Sequence, residues 1–351
     1  MQPSPIPTSP GASACGAMDL GREHHPPAPH PVERPQRVPD RAEHPQLESL
    51  PEALQLALTR LRQRIAGLGP VVVAYSGGVD SSLVAAIAAE QLGACALAVT
   101  GVSPALAPHL LEEARLQARW LGLAHREVAT AEIEDPSYSS NPANRCYACK
   151  RELHGLLAAL VGELSKPPGA AGEWASGAGA EWTTGAGAAR EPAAQVLDGV
   201  NLDDLGDHRP GIQAARERGV LSPLAELGID KAGVRAISRA LGFPWWDKPA
   251  QPCLASRFPY GEAITAQRLR RVAAAEAWLH QRGFQELRVR SQGETARIEL
   301  PQQRIGELLE PRARHELVQT FRELGFSAVS LDLEGLVSGK LNRELVSAIQ
   351  A

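Results

Sequence analysis

The chain has 351 residues, 44% of them apolar, with 36 lysines and arginines against 40 acidic residues and a formal charge of −4. That size and apolar content suit a globular protein of two ordinary domains, and the near-balanced charge excludes a global basic field that would draw it to nucleic acid or an anionic membrane. No apolar run approaches the ~20 residues of a membrane-spanning helix and no basic stretch followed by an apolar segment opens the chain, so a cytoplasmic protein is expected.

Residues 1–48 are rich in proline, histidine, serine and charge and lack the apolar periodicity of a buried segment, so a disordered tail is expected. The spacing of PEALQLALTRLRQRI then predicts a helix, VVVAYS a buried strand, and SSLVAAIAAEQLG a helix opened by serine and closed by glycine. ACALAVTG reads as a second strand, APHLLEEARLQARWLG as a helix and HREVAT as a third strand. Residues 162–194, dominated by Gly, Ala, Ser and Pro with Trp174 and Trp182 as isolated bulky exceptions, read as a flexible insertion. QVLDGVN follows as a strand and VRAISRALG as a helix. This βαβα succession predicts an α/β, Rossmann-like doubly wound parallel sheet over residues 49–258. From Pro259 the order changes to a long helix, TAQRLRRVAAAEAWLHQRG, paired strands FQELRVR and TARIEL, helices around 305–324 and a strand AVSLDL. These predict a smaller α+β domain over residues 259–351.

Ser76, Gly77, Gly78, Val79, Asp80, Ser81 and Ser82 fall where the first strand ends and a helix begins. Ligands of open parallel sheets bind beyond the carboxyl ends of strands, and helix N-terminal N–H groups attract phosphate, while two glycines let the backbone curl around the anion. Asp80 cannot favour a bare phosphate, so it orients loop amides or meets a magnesium ion bridging phosphate oxygens. The competing explanation is a glycine turn with Ser81 or Ser82 as the cap of an ordinary helix. The string is neither a Walker A motif nor G-x-G-x-x-G. It resembles the loop of the ATP pyrophosphatase group, whose chemistry is attack on the α-phosphorus of ATP with release of pyrophosphate. Asn201, Asp203 and Asp204 follow a later strand and so share that sheet edge, where they hold magnesium or cap the next turn. Arg209 either neutralises a phosphate or starts a helix.

The five cysteines are Cys15, Cys95, Cys146, Cys149 and Cys253. They are too few and too scattered for a disulfide framework and fit a reducing compartment. Cys146 and Cys149 form R-C-Y-A-C-K in an expected loop after the third strand, Cys95 is expected as an inert thiol inside the second strand, and Cys253 lies at the domain junction. Three available thiols suit a [4Fe–4S] cluster with one iron left open, and a structural turn or half of a zinc site are the alternatives for the CxxC pair. Arg257, close to Cys253, would favour its thiolate. Arg288 and Arg290 alternate on one strand face, as a two-pronged phosphate clamp would, or as a solvated face does. Trp245 and Trp246 read as packing.

Taken together, SGGVDSSL, NPANRCYACK, LDGVNLDDLGDHRPG, GVLSPLAELGIDK, WDKPAQPCLASRFPYG, the RVR of Arg288 to Arg290 and LEGLVSGKLN resemble the LarE family, ATP-dependent sulfur transferases of nickel-pincer nucleotide biosynthesis. The resemblance runs from about Leu54 to Val346 and implies that a carboxylate of a pyridinium biscarboxylate mononucleotide is adenylylated with ATP and Mg²⁺, then converted to a thiocarboxylate. It places the pyrophosphate loop on Ser76 to Ser81, the sulfur-donor cysteine on Cys253, the neighbouring polar pair on Ser256 and Arg257, and the hold on substrate phosphate on Arg288 and Arg290 with Glu276. Within the family the cysteine's own sulfur is given up, leaving dehydroalanine, or a three-cysteine set carries a [4Fe–4S] cluster; Cys146, Cys149 and Cys253 match that set. The implied partners are the small mononucleotide, other enzymes of the same pathway and copies of the chain in a homo-oligomer, with no nucleic acid and no membrane. A tRNA-thiolating or amide-forming enzyme of the same fold and a non-catalytic ATP sensor are the alternatives. Neither has a sequence signal, since no basic RNA-binding patch is evident and a sensor has no use for the Cys253 segment.

Overall fold

The structure is a computed structural model that describes residues 50–164, 193–206, 210–337 and 339–343. The expected tail, Cys15, Arg209 and most of the 162–194 insertion, with Trp174 and Trp182, lie outside the described residues. In chain order the elements are α1 (Glu52–Ala66), β1 (Val71–Ala74), α2 (Val79–Leu92), β2 (Ala96–Val102), α3 (Pro108–Leu121), β3 (His125–Ala129), α4 (Pro136–Ser139), α5 (Arg145–Leu164), β4 (Gln195–Leu197), α6 (Pro210–Arg216), α7 (Pro223–Glu226), α8 (Lys231–Ala240), α9 (Ala266–Gln281), β5 (Arg288–Gln292), β6 (Thr295–Glu299), α10 (Ile305–Leu309), α11 (Pro311–Glu323) and β7 (Ala328–Leu331).

The first four strands form one parallel sheet in the order β3-β2-β1-β4. Val71, Val72 and Val73 are all fully buried because helices cover both faces. Val71 and Val73 pack in the core built by Leu61 of α1, Leu83 of α2 and Ile237 of α8. Val72 turns the other way, onto Leu157 of α5 and Ala215 of α6. A strand buried on both faces reads as a continuous apolar run, which is why VVV announces it. The expected doubly wound sheet is therefore what the chain builds. After β3 the chain returns past β2 and β1 to add β4 on the far side of β1, so the winding reverses between β1 and β4. That reversal opens a crevice beyond the carboxyl ends of these two strands.

The second sheet has the order β5-β6-β7, antiparallel between β5 and β6 and parallel between β6 and β7. Helix α9, capped by Thr265 accepting from the Arg268 N–H, buries Leu269, Val272, Ala275 and Leu279 in one core with Val289, Ala296 and Ile298 of this sheet. The helical spacing of those four residues puts them on a single stripe. Tyr138, Ala148, Leu254 and Phe258 belong to the same core, which seats both cysteine-bearing segments on it.

Three local expectations change. The CxxC pair, expected in a loop, opens α5, because that helix is held on two sides, by Ala148 in the core shared with α9 and by Leu157 and Leu160 against Val72 and Val99 of the parallel sheet. Cys95, expected inside a strand, ends a 3₁₀ turn before β2 and is half-buried. Neither Ser81 nor Ser82 caps α2, since Gly78 holds the N-cap position. Among the described residues no helix is long and apolar enough to cross a membrane.

Candidate functional site

Beyond β1, the Tyr75 N–H still donates to Val99 O, and the chain then curls at Ser76–Gly77–Gly78. Gly77 has φ +68°, and a Cβ there would stand 3.0 Å from Cα and Cβ of Ala114, so both conformation and space require glycine. No side chain caps α2 at Gly78, which leaves the first-turn N–H groups of the helix to an anion in the crevice. Ser81 Oγ closes the loop: it accepts from the Ser76 N–H at 3.2 Å, donates to Gly78 O at 3.1 Å and lies 3.2 Å from Ser76 Oγ. Ser82 is fully buried beneath the loop, beside Tyr75, whose phenol burial pushes up to about 12.

The floor of the crevice comes from the end of β4. Asn201 Nδ2 donates to Asp80 Oδ1 at 3.1 Å across a separation of 121 residues, and its Oδ1 accepts from the N–H groups of Asp203 and Asp204 at 3.0 and 3.3 Å. Asp204 returns a bond to the Asn201 N–H at 3.1 Å, while Asp203 accepts from the Lys231 N–H at 3.0 Å. The structure thus brings Asp80, Asn201, Asp203 and Asp204 together. Two residues that sequence reasoning did not single out complete the arrangement. Lys231 Nζ donates to Asp80 Oδ2 at 2.5 Å and neutralises a carboxylate that would otherwise repel phosphate. Gly199 lets β4 touch the loop, because a Cβ there would sit 2.6 Å from Ser81 N. The signals were present, a lysine ending the GIDK string and a glycine just past a strand at the ligand edge. Asp198, before that glycine, accepts from the Val200 N–H at 3.1 Å, and burial pushes its carboxyl up.

The cysteine segment leaves directly from this loop. Lys248 Nζ donates to Gly77 O at 3.1 Å and pairs with Glu113 at 2.6 Å, just ahead of Cys253 in the chain. Trp245 packs on Phe243 and Trp120, as expected of packing residues. Cys253 is exposed at the start of the 3₁₀ turn Leu254–Arg257, which is fixed to the sheet edge by Leu254 N–H donating to Ala105 O at 2.8 Å. Asn141, at φ 57°, donates to Pro259 O at 2.6 Å, and Ile264 N–H donates to Ser139 O at 2.7 Å, so the approach to α5 is laced to the chain after Cys253. Cys146 is exposed and Cys149 half-buried. Burial, then Glu132, Cys253 and Cys146 nearby, push the Cys149 thiol up to about 12. The three thiols therefore share one neighbourhood, although among the described residues no group of three Cys, His, Asp or Glu side chains is spaced to hold a metal ion as placed. Beside them Tyr138 Oη, Glu132 Oε2 and Arg145 Nε and Nη1 are buried with no hydrogen-bond partner among the described residues. Orphaned donors and acceptors at one place fit a polar group held between the thiols.

Next to Cys253, Arg257 donates to both Glu276 oxygens at 2.8 and 3.1 Å and to Ser256 Oγ at 2.8 Å. Its charge is engaged by a buried carboxylate rather than left for the thiol. Glu276, expected at the substrate phosphate, is the counter-ion of Arg257 and also accepts from the Val289 N–H at 2.9 Å. Arg290 is gripped by Glu299 at 3.0 Å twice and donates to Ser256 O at 2.7 Å. Of the expected clamp, only Arg288 keeps a guanidinium without hydrogen bond or ion pair among the described residues. It is half-buried, and burial with Arg290 and Arg257 beside it holds its pKa below the ordinary arginine value. Arg290 and Arg257 are each paired with a buried carboxylate, so of the three Arg288 is the guanidinium with charge left to meet an anion.

A family model for asparagine synthase matches residues 52–137, from α1 across the phosphate loop. The chain is 51% identical over 292 residues to an uncharacterized protein of Synechocystis sp., covering 83% of this chain and 99% of that one. It is 34% identical over 281 residues to the pyridinium-3,5-bisthiocarboxylic acid mononucleotide synthase of Lactiplantibacillus plantarum, covering 79% and 91%. It is 24% identical over 264 residues to an uncharacterized protein of Methanocaldococcus jannaschii, covering 75% and 89%.

Proposed function

The chain belongs to the LarE family, and from that premise we propose that it adenylylates a carboxylate of pyridinium-3,5-biscarboxylic acid mononucleotide and converts it to a thiocarboxylate. The observation that carries this proposal is the Lys248–Gly77 bond at 3.1 Å, which joins the segment bearing Cys253 to the phosphate loop. An activated carboxyl formed over the loop would then lie within reach of a thiol.

In the first step a substrate carboxylate oxygen attacks the α-phosphorus of MgATP, the bond to the β-phosphate breaks, and pyrophosphate departs. The first-turn amides of α2, with Ser76 and Ser81, receive the pyrophosphate, and Asp80 faces the magnesium that enters with ATP. Arg288, with Arg290 behind it, holds the mononucleotide phosphate. In the second step sulfide-level sulfur, as hydrosulfide or as the Cys253 thiolate, adds to the carbonyl carbon of the mixed anhydride and AMP leaves, so a C–S bond replaces a C–O bond. Where the sulfur is that of Cys253, its Cβ–Sγ bond then breaks with loss of the Cα proton and dehydroalanine remains. Cys146, Cys149 and Cys253 would hold a [4Fe–4S] cluster, and the orphaned Tyr138 and Arg145 donors beside them suit its sulfurs; when bound it supplies one iron position without a protein ligand. The four described cysteines are all free thiols, in keeping with a cytoplasmic enzyme.

Protein purified without oxygen tests both parts. Incubation with the mononucleotide, ATP, Mg²⁺ and sulfide should yield pyrophosphate and a product in which sulfur replaces oxygen, by mass spectrometry. No product with this substrate contradicts the assignment. Iron analysis should find about four irons per chain, lost on changing any one of the three cysteines. No iron, with Cys253 converted to dehydroalanine at a mass loss of about 34 daltons, would instead make Cys253 the sacrificed donor.

A further inference from the structure

The string LEGLVSGKLN near the end of the chain has no part in the reaction outlined above, yet its lysine is one of the most enclosed cations in the molecule. Lys340 is 9% exposed. Its Nζ donates to Gly335 O at 2.8 Å and lies 2.9 Å from Asp332, 3.5 Å from Glu334 and 4.0 Å from Glu299. Glu299 is completely buried, so its charge has to be met inside the protein. Arg290 meets it bidentately, and Arg297 approaches it at 3.6 Å while also reaching Asp332 at 3.5 Å. Arg290 then donates to Ser256 O at 2.7 Å, within the turn that Cys253 opens. A cavity of about 230 Å³ runs along this array, lined among others by Arg257, Arg290, Arg297, Asp332 and Lys340.

We infer that Lys340 is a positioning residue for Cys253, acting through Asp332, Glu299 and Arg290 on the carbonyl of Ser256. The physical reason is charge balance in a buried row. Arg290 holds its fork on Glu299 and aims Nη1 at Ser256 while the cations and carboxylates of the row are balanced. Lys340 keeps that balance by neutralising Asp332 at 2.9 Å and sharing the negative field of Glu299 at 4.0 Å. Without its ammonium, Arg297 is the one cation left on Asp332 among the described residues, the carboxylates repel, and the Glu299–Arg290 pair shifts. The turn is anchored a second time by Arg257 Nη1, which donates to Pro252 O at 3.2 Å, so a shift changes the aim of the turn without releasing it.

The inference builds on the proposed sulfur transfer but has a readout of its own. In Lys340→Met, pyrophosphate release with substrate should stay within twofold of wild type, thiocarboxylate formation should fall at least tenfold, and Lys340→Arg should restore most of it. Independently of any substrate, the rate at which iodoacetamide alkylates Cys253, followed by peptide mapping, should change severalfold in Lys340→Met while Cys95 reacts as before. Asp332→Asn, at the outer end of the row, is the second variant should Lys340→Met fold poorly, and it should show the same pattern. Wild-type alkylation of Cys253 in the folded variants would overturn the inference, as would equal loss of both half-reactions in Lys340→Met and Asp332→Asn. A wild-type protein that transfers no sulfur contradicts the proposed function instead, and leaves the alkylation result to decide on Lys340.

Discussion

Gly199→Ala adds one methyl group at the point where the two halves of the nucleotide crevice touch. The new Cβ would stand 2.6 Å from Ser81 N, 2.9 Å from Ser81 Cα and 3.0 Å from Asp80 C. All three are backbone atoms of the first turn of α2, so no side chain can swing aside. Reaching ordinary contact near ~3.5 Å requires β4 and the start of α2 to part by about 0.9 Å. Overpacking of this kind costs about 1–3 kcal/mol, and a displacement approaching 1 Å at a reacting centre costs up to ~10²-fold in rate. Substrate-dependent pyrophosphate release should therefore fall about 10- to 100-fold in kcat/KM for ATP, with a drop of a few degrees in melting temperature. Gly306→Ala is the control, since its Cβ would meet nothing within 4 Å, and it should be neutral or slightly stabilising. Wild-type turnover and melting temperature in Gly199→Ala would refute the idea that β4 presses on the phosphate loop.

Asp80→Asn should lower pyrophosphate release about 100-fold because it removes the carboxylate that faces magnesium, and Lys231→Met should lower it because it leaves the Asp80 charge without its partner at 2.5 Å; the losses should be less than additive in the double variant, and fully additive losses would show two separate roles. Arg288→Met should raise KM for the mononucleotide at least tenfold and leave KM for ATP unchanged, whereas Arg290→Met should mainly destabilise, by up to about 3 kcal/mol, because it leaves the buried Glu299 only the more distant Arg297 and Lys340. Thermal melts and steady-state kinetics separate the two. His154 is buried, and burial, then Lys150 and Arg218, lower its pKa to about 3. Its folded pKa lies below its unfolded value near 6.5, so the unfolded chain takes up a proton that the folded chain refuses. Its contribution to stability is present above pH 6.5 and is lost as pH falls toward 3. Urea melts of His154→Leu should show a stability slope shallower by up to about 1.4 kcal/mol per pH unit in that window, and an unchanged slope would contradict it.

The architecture was legible because burial on both faces leaves its mark as apolar runs. VVV and the amphipathic stripe of α9 each have one structural solution. The phosphate loop was equally open to reading, since Gly77 and Gly78 stand between a strand and a helix, the one place where that string binds an anion. The partners of the charged residues were not. Lys231 is ordinary in the chain and becomes significant only when α8 folds back onto Asp80, and Gly199 matters only because β4 is laid beside β1. Likewise Arg288 and Arg290 look equivalent in RVR; Arg290 pairs with Glu299 on the neighbouring strand, and Arg288 forms no ion pair among the described residues. The CxxC pair was misplaced for a local reason. Its two cysteines suggested a loop, while the helical spacing that governs the segment continues well beyond them, to Leu160.

The most direct test of the two-stage reaction is a single incubation of Cys253→Ala with the mononucleotide, ATP and Mg²⁺, followed by mass spectrometry. Activation uses the phosphate loop and the substrate carboxylate, and sulfur delivery uses the thiol, so adenylylated mononucleotide should accumulate with pyrophosphate and no thiocarboxylate should form. Normal thiocarboxylate formation by this variant would contradict the account, because it would remove Cys253 both as sulfur donor and as an essential ligand.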